Sequence, residues 1–127
     1  MIAPLHLPPR LTDGTIVLDA HAAADAEAHL AGEDEEMRRR FDAPAQATPE
    51  GTRAAIERWI AARAAGGPMF AYALRDPSGR LAGGCEARRV TAERVDVSYW
   101  VFPAFRGRGY AGRALRLLGE AALAVQG

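Results

Sequence analysis

The 127-residue sequence predicts an α/β fold. Capped helical patterns fill much of its first half. Three β-favouring runs then follow one another at 69–75, 81–89 and 94–102, close enough to pair as a hairpin meander rather than as a parallel set. The last run ends at Pro103 in a glycine-rich turn that opens directly into an Ala/Leu-rich helical pattern.

In chain order, a proline-rich lead-in precedes a short strand over 15–18. Residues 22–30 are helical by propensity, although their periodicity is poor. Residues 35–41 predict a better helix: Glu35–Arg39 and Glu36–Arg40 fall at i,i+4, while Met37 and Phe41 share the opposite stripe. Residues 43–47 read as a loop. The next helix is the best specified. Thr48 stands as N-cap, Pro49 at the first helical position and Gly66 where a C′ glycine belongs, with Ile56, Trp59 and Ile60 as the buried stripe. Residues 76–79 (Asp-Pro-Ser-Gly) form the turn between the first two strands of the meander. On the third strand Val95, Val97, Tyr99 and Val101 face one side, and Asp96, Ser98, Trp100 and Phe102 the other. A final helix runs over 110–124. There is no repeat and no low-complexity linker, so residues 1–127 read as one domain.

The turn carries the chemistry. Gly107 and Gly109 let bare backbone approach an anion with no Cβ in the way, and the helix behind them offers unpaired N–H groups and the positive end of its dipole. Arg106 and Arg108 add positive charge. The stretch from Gly107 to Gly112 also satisfies the dinucleotide pattern G-x-G-x-x-G. That pattern has meaning only inside a βαβ unit with an acidic residue about 20 positions further on, and no second strand is visible before Gly127. A Walker loop is excluded because the sequence contains no lysine.

Arg106-Gly-Arg-Gly109-Tyr-Ala111 resembles the acyl-CoA signature Arg/Gln-x-x-Gly-x-Gly/Ala of the GNAT acyltransferases at every defined position. The preceding Tyr99-Trp100-Val101-Phe102-Pro103 is similar to the strand end of the branch that acetylates protein N-termini, including ribosomal proteins, antibiotics and small amines. The resemblance is specific over about 95–118. It implies a mixed, mostly antiparallel sheet flanked by helices, acetyl-CoA as acyl donor, and a primary amine as acceptor, either a protein N-terminus or a small molecule. It implies that Trp100, Val101 and Phe102 line the pantetheine arm. Arg106, Gly107, Arg108, Gly109, Tyr110, Ala111 and Gly112 would hold the pyrophosphate. In that family a strand, a helix and a last strand follow the loop helix, and the tyrosine that often protonates the leaving thiolate lies among them. The sequence ends at Gly127, ahead of those elements. Three explanations stay open: a fragment of a longer product, a sheet completed by a second copy as a homodimer or by a partner chain, and a non-catalytic CoA-binding or interaction module.

Acyl transfer to an amine also needs a base. Asp96 matches an acidic position of the similar branch, two residues before the small-residue–Tyr–Trp element. Glu93 matches an alternative acidic position in related ribosomal-protein acetylases, and Glu86 is a further strand carboxylate. Asp96 and Glu93 also read as solvated edge carboxylates paired to Arg88, Arg89 or Arg94. The run from Glu33 to Glu36 is a solvated helix start or, alternatively, a wall that attracts a cationic amine. His6, His21 and His29 have no metal-ligand spacing with Cys85 or with one another and read as surface residues; Cys85 reads as a small buried filler.

Composition bounds the setting. Net charge is zero, which argues against nucleic acid or an anionic membrane as main partner. All sixteen basic residues are arginine and alanine is the commonest residue, a bias of GC-rich, bacterial genomes. The single cysteine cannot form an internal disulfide, and no run reaches the length of a membrane span. A cytoplasmic protein is expected.

Overall fold

The computed structural model describes residues 7–32, 34, 48–67 and 69–126. The expected helix over 35–41, the loop over 43–47, His6 and all of the acidic run except Asp34 lie outside them. Five strands form one sheet in sequence order: β1 (Leu11–Thr12), β2 (Val17–Asp19), β3 (Met69–Arg75), β4 (Leu81–Thr91) and β5 (Arg94–Val101). Every pairing among them is antiparallel. Helices α1 (Asp25–Gly32) and α2 (Pro49–Ala64) stand between β2 and β3 in sequence, and α3 (Tyr110–Gln126) follows β5 after a 3-10 turn at Pro103–Phe105.

β1 was not among the expected strands, and the strand expected over 15–18 sits at Val17–Asp19. The signal for β1 is Asp13-Gly14, a hairpin dipeptide. Gly14 takes φ +91°, and the Asp13 carboxylate accepts from the amides of Thr15 and Ile16. Helix α2 has the expected caps. The Thr48 hydroxyl accepts from the Gly51 N–H. At the other end Gly66, with φ +84°, donates to Arg63 C=O while Gly67 donates to Ala62 C=O, the two bonds of a Schellman motif. Its buried face is Thr52 and Ile56, with Trp59 half-buried; Ile60 is 40% exposed, against the stripe expected for it.

Two apolar clusters use the two faces of the sheet. On one, Ile16, Leu18, Phe70, Tyr72, Leu74 and Cys85 pack with Tyr110, Ala114 and Leu118 of α3, and Val95 and Tyr99 of β5 lean on them. On the other, Ala73, Leu81, Trp100 and Phe102 pack with Trp59 of α2. The alternation read for β5 therefore holds. Two glycines of β4 make the second cluster possible. A Cβ on Gly84 would lie 2.3 Å from the Trp100 ring, and one on Gly83 would lie 2.1 Å from the Trp100 carbonyl oxygen. β2 pairs only with residues 73–75 of β3, and Arg63 satisfies the Ala71 carbonyl beyond that point. The same guanidinium donates to Pro9 C=O and lies 4.6 and 4.5 Å from the ring centroids of Phe70 and Tyr72.

Candidate acyl-CoA site

The site begins at the end of β5. Phe102 N–H donates to Ala82 C=O, continuing the β4–β5 ladder. Bonded and non-bonded pairs alternate along an antiparallel ladder, so the backbones of Trp100 and Phe102 turn inward to β4 and those of Tyr99 and Val101 turn outward. The sheet therefore uses the amides of Trp100 and Phe102, leaving their side chains to line any pantetheine arm. Tyr99 and Val101 turn their backbones outward, a parity that the partner strand sets and that the sequence alone does not show.

The loop follows at once. Phe105 N–H donates to Phe102 C=O and Arg106 N–H to Pro103 C=O, closing the 3-10 turn. Gly107 and Gly109 both take φ +77°, a conformation that L side chains rarely adopt. The Gly109 carbonyl accepts the first helical bond, from Arg113, which makes Gly109 the N-cap of α3. With no side chain there, nothing at the cap position covers the N–H groups of Tyr110, Ala111 and Gly112, which have no partner inside the helix. A Cβ built on Gly107, Gly109 or Gly112 meets nothing within 4 Å. Three glycines thus border open space at the positive end of a 17-residue helix. That is an anion cradle by shape and by charge, and it fits a pyrophosphate.

The arginines are not equivalent. The Arg106 side chain turns back: its Nε donates to Val101 C=O at 2.9 Å and its guanidinium pairs with Asp34 at 3.0 Å. Arg113 is bound to Asp13 at 2.7 Å. Arg108 is exposed and lies 5.7 Å from the Phe105 ring centroid. Beside the loop an open cleft of about 720 Å³ runs between α1 and the sheet end, lined by Ala28, Ala31, Gly32 and Asp34 on one side and Leu81 and Phe102–Phe105 on the other. Gly32 is required there, since a Cβ would stand 2.4 Å from the Phe102 ring.

The acidic candidates are farther away. Asp96 is exposed and held by Arg94 at 2.7 Å, about 10 Å along the strand from Tyr99 by strand rise. Glu93 stands in the β4–β5 turn, its own N–H donating to the Thr91 hydroxyl. Glu86 is half-buried and opposite Ser98. Among the described residues, the hydrogen bonds and ion pairs of Asp96 and Glu93 run to Arg94 and Thr91, within the β4–β5 hairpin.

His21 and His29 are the larger correction. His21 is 5% exposed, and both residues pack into an aromatic cluster. The His21 ring lies 4.7 Å from Trp59, and His29 lies 5.6 Å from Trp59 and 5.4 Å from Phe102. Burial, reinforced by the neighbouring His29, pushes His21 down to about 4; burial also lowers His29. Neither His21 nitrogen has a hydrogen-bond partner among the described residues. Cys85 is buried as expected, and burial pushes its thiol up to about 12.

A sheet meander, a glycine cradle at a helix N-terminus and a strand end that feeds it define the class. Residues 15–127 match the family described as the acetyltransferase (GNAT) domain, and the chain belongs to that family. Its fold is similar to the acetyltransferase (GNAT family) from Bacillus anthracis, with TM-score 0.74 and 15% identity over 87% of this chain and 64% of that one. The microcin C7 self-immunity acetyltransferase MccE, solved with acetyl-CoA and AMP, gives 0.68 and 16% over 86% and 62%. RimL, the ribosomal L7/L12 alpha-N-protein acetyltransferase solved with coenzyme A, gives 0.67 and 16% over 90% and 65%. The chain spans less than two thirds of the length of these three proteins. No curated protein matches it. Among the described residues no helix is long and apolar enough to cross a membrane.

Proposed function

We propose that this chain belongs to an N-acetyltransferase that moves an acetyl group from acetyl-CoA to a primary amine. The observation that carries the reading is the loop at 106–112. Two glycines at φ +77°, a helix N-terminus whose cap residue Gly109 has no side chain, and open space over all three glycines suit a pyrophosphate. Membership in the acetyltransferase family and the acetyl-CoA and coenzyme A held by two structural relatives support it.

Acetyl-CoA would supply the acyl group as an activated thioester. Backbone N–H groups of Gly107 to Gly112 would hold its diphosphate. The outward amide of Val101 or Tyr99 would hydrogen-bond the pantetheine or the reacting carbonyl, where a preorganised donor stabilises the negative charge that develops. Asp96 is the proposed base, acting through water, because it shares the Trp100 face of β5 and is nearer the loop than Glu93. The acceptor is a protein N-terminus or a small-molecule amine; the former is supported by RimL, which acetylates an N-terminus. A cytoplasmic, bacterial setting suits a thiol kept reduced and an arginine-only basic composition. A homodimer in which a second copy completes the sheet while leaving the Tyr99–Val101 edge open belongs to the same proposal.

The test is radiolabelled acetyl transfer from acetyl-CoA to peptide N-termini and small amines. Transfer that Gly109→Val abolishes is the expected result. Coenzyme A binding with no transfer to any amine would leave a binding module.

A further inference from the structure

Resting on the cofactor reading above, we infer that the two arginines of the loop have separate tasks: Arg106 is a positioning residue, and Arg108 is the arginine that meets phosphate. Arg106 is bound on both sides of its guanidinium. Nε serves the last outward carbonyl of β5, at Val101, and the terminal nitrogens fork onto Asp34 at 3.0 and 3.5 Å. A planar fork occupied by a carboxylate cannot bind phosphate without giving that pair up. Its charge is also largely neutralised by Asp34.

What the contact does instead is mechanical. Asp34 lies two residues beyond Gly32, which touches the Phe102 ring; Phe102 begins the 3-10 turn that delivers the loop. The end of α1, the end of β5 and the first residue of the loop therefore form one tied unit across 72 positions of sequence. The ion pair sets where Gly107 begins. It also connects one wall of the 720 Å³ cleft to the anion cradle.

Arg108 has the complementary features. It sits between the two glycines of positive φ, is exposed, and among the described residues forms no ion pair, resting only on Phe105. A cation on an aromatic face beside the first amides of the helix is placed to add a charge-assisted bond to an anion arriving there.

The experiment uses the full chain with coenzyme A as probe, by calorimetry at several salt concentrations, and amide hydrogen exchange on the free protein. Arg108→Gln should weaken binding about tenfold and flatten the salt dependence, with exchange at 101–109 unchanged. Asp34→Asn and Arg106→Gln should each speed exchange at 101–109 severalfold in the free protein and leave the salt dependence as in wild type. The double variant should be no worse than either single one. Arg106→Gln flattening the salt dependence with exchange unchanged would overturn the assignment. A wild-type chain that binds no coenzyme A sinks the cofactor reading and the Arg108 task with it. The exchange data on free protein would still decide Arg106.

Discussion

Lowering the pH from 7 to 5 should destabilise this chain through His21, before any carboxylate is involved. The imidazole is 5% exposed, and burial, then His29, holds its pKa at about 4. Asp25 opposes that shift, while Arg75 and Arg63 add to it. The folded pKa lies below the ordinary imidazole value of 6.5, so the unfolded chain takes up the proton first. Stability is therefore intact above pH 6.5 and is lost as pH falls towards 4. Between pH 7 and 5 the loss from His21 works out at about 2 kcal/mol. In a domain of this size that is about 6–10 °C of melting temperature. His29 is lowered for the same reason and adds in the same direction. Urea denaturation of wild type and His21→Leu at the two pH values measures it, since leucine keeps an apolar side chain and removes the titration. The variant should lose most of the difference. An unchanged pH dependence in His21→Leu, or an NMR titration of His21 near 6.5, refutes the reasoning.

Gly84→Ala should cost about 3 kcal/mol or more in chemical denaturation, because the new Cβ would stand 2.3 Å from a Trp100 ring already packed against Trp59. Burial would raise the Asp76 carboxyl, but bonds from Ser78 and Arg80 outweigh it and hold the pKa at about 2, so stability falls as pH drops from 4 towards 2. Asp76→Asn should flatten that limb of an acid titration followed by circular dichroism. Asp96→Asn should slow acetyl transfer roughly 10²-fold with coenzyme A affinity nearly unchanged, and a loss under about threefold moves the role to Glu93 or to water.

The parts of this fold that could be read from sequence are those written in local chemistry. The Thr48-Pro49 start of α2, its Gly66 stop, the Asp76–Gly79 turn and the glycine loop each need only neighbouring residues, and each stands where expected. What escaped depends on partners far along the chain. Gly83 and Gly84 are explained by Trp100 across the ladder, which no local pattern encodes. His21 and His29 looked like surface residues because a lone polar residue in a weakly periodic stretch gives no sign that Trp59 and Trp100 cover it. Ile60 failed as a core residue because propensity gives the helix but not its neighbours. In the candidate site the positive-φ turn is legible from Gly107 and Gly109, whereas the direction each arginine takes depends on partners elsewhere in the chain. Arg106 matches the signature by letter, yet its side chain serves Val101 and Asp34.

The loop at 106–112 is proposed to cradle a pyrophosphate. Titrating coenzyme A into the isotopically labelled chain and following backbone amides by NMR tests it most directly. The amides of Gly107, Gly109, Tyr110, Ala111 and Gly112 should shift most, and Gly109→Val, which forces a branched Cβ into a φ of +77°, should abolish the response. Shifts clustered elsewhere, or an equal response in Gly109→Val, would show that the loop does not hold the diphosphate.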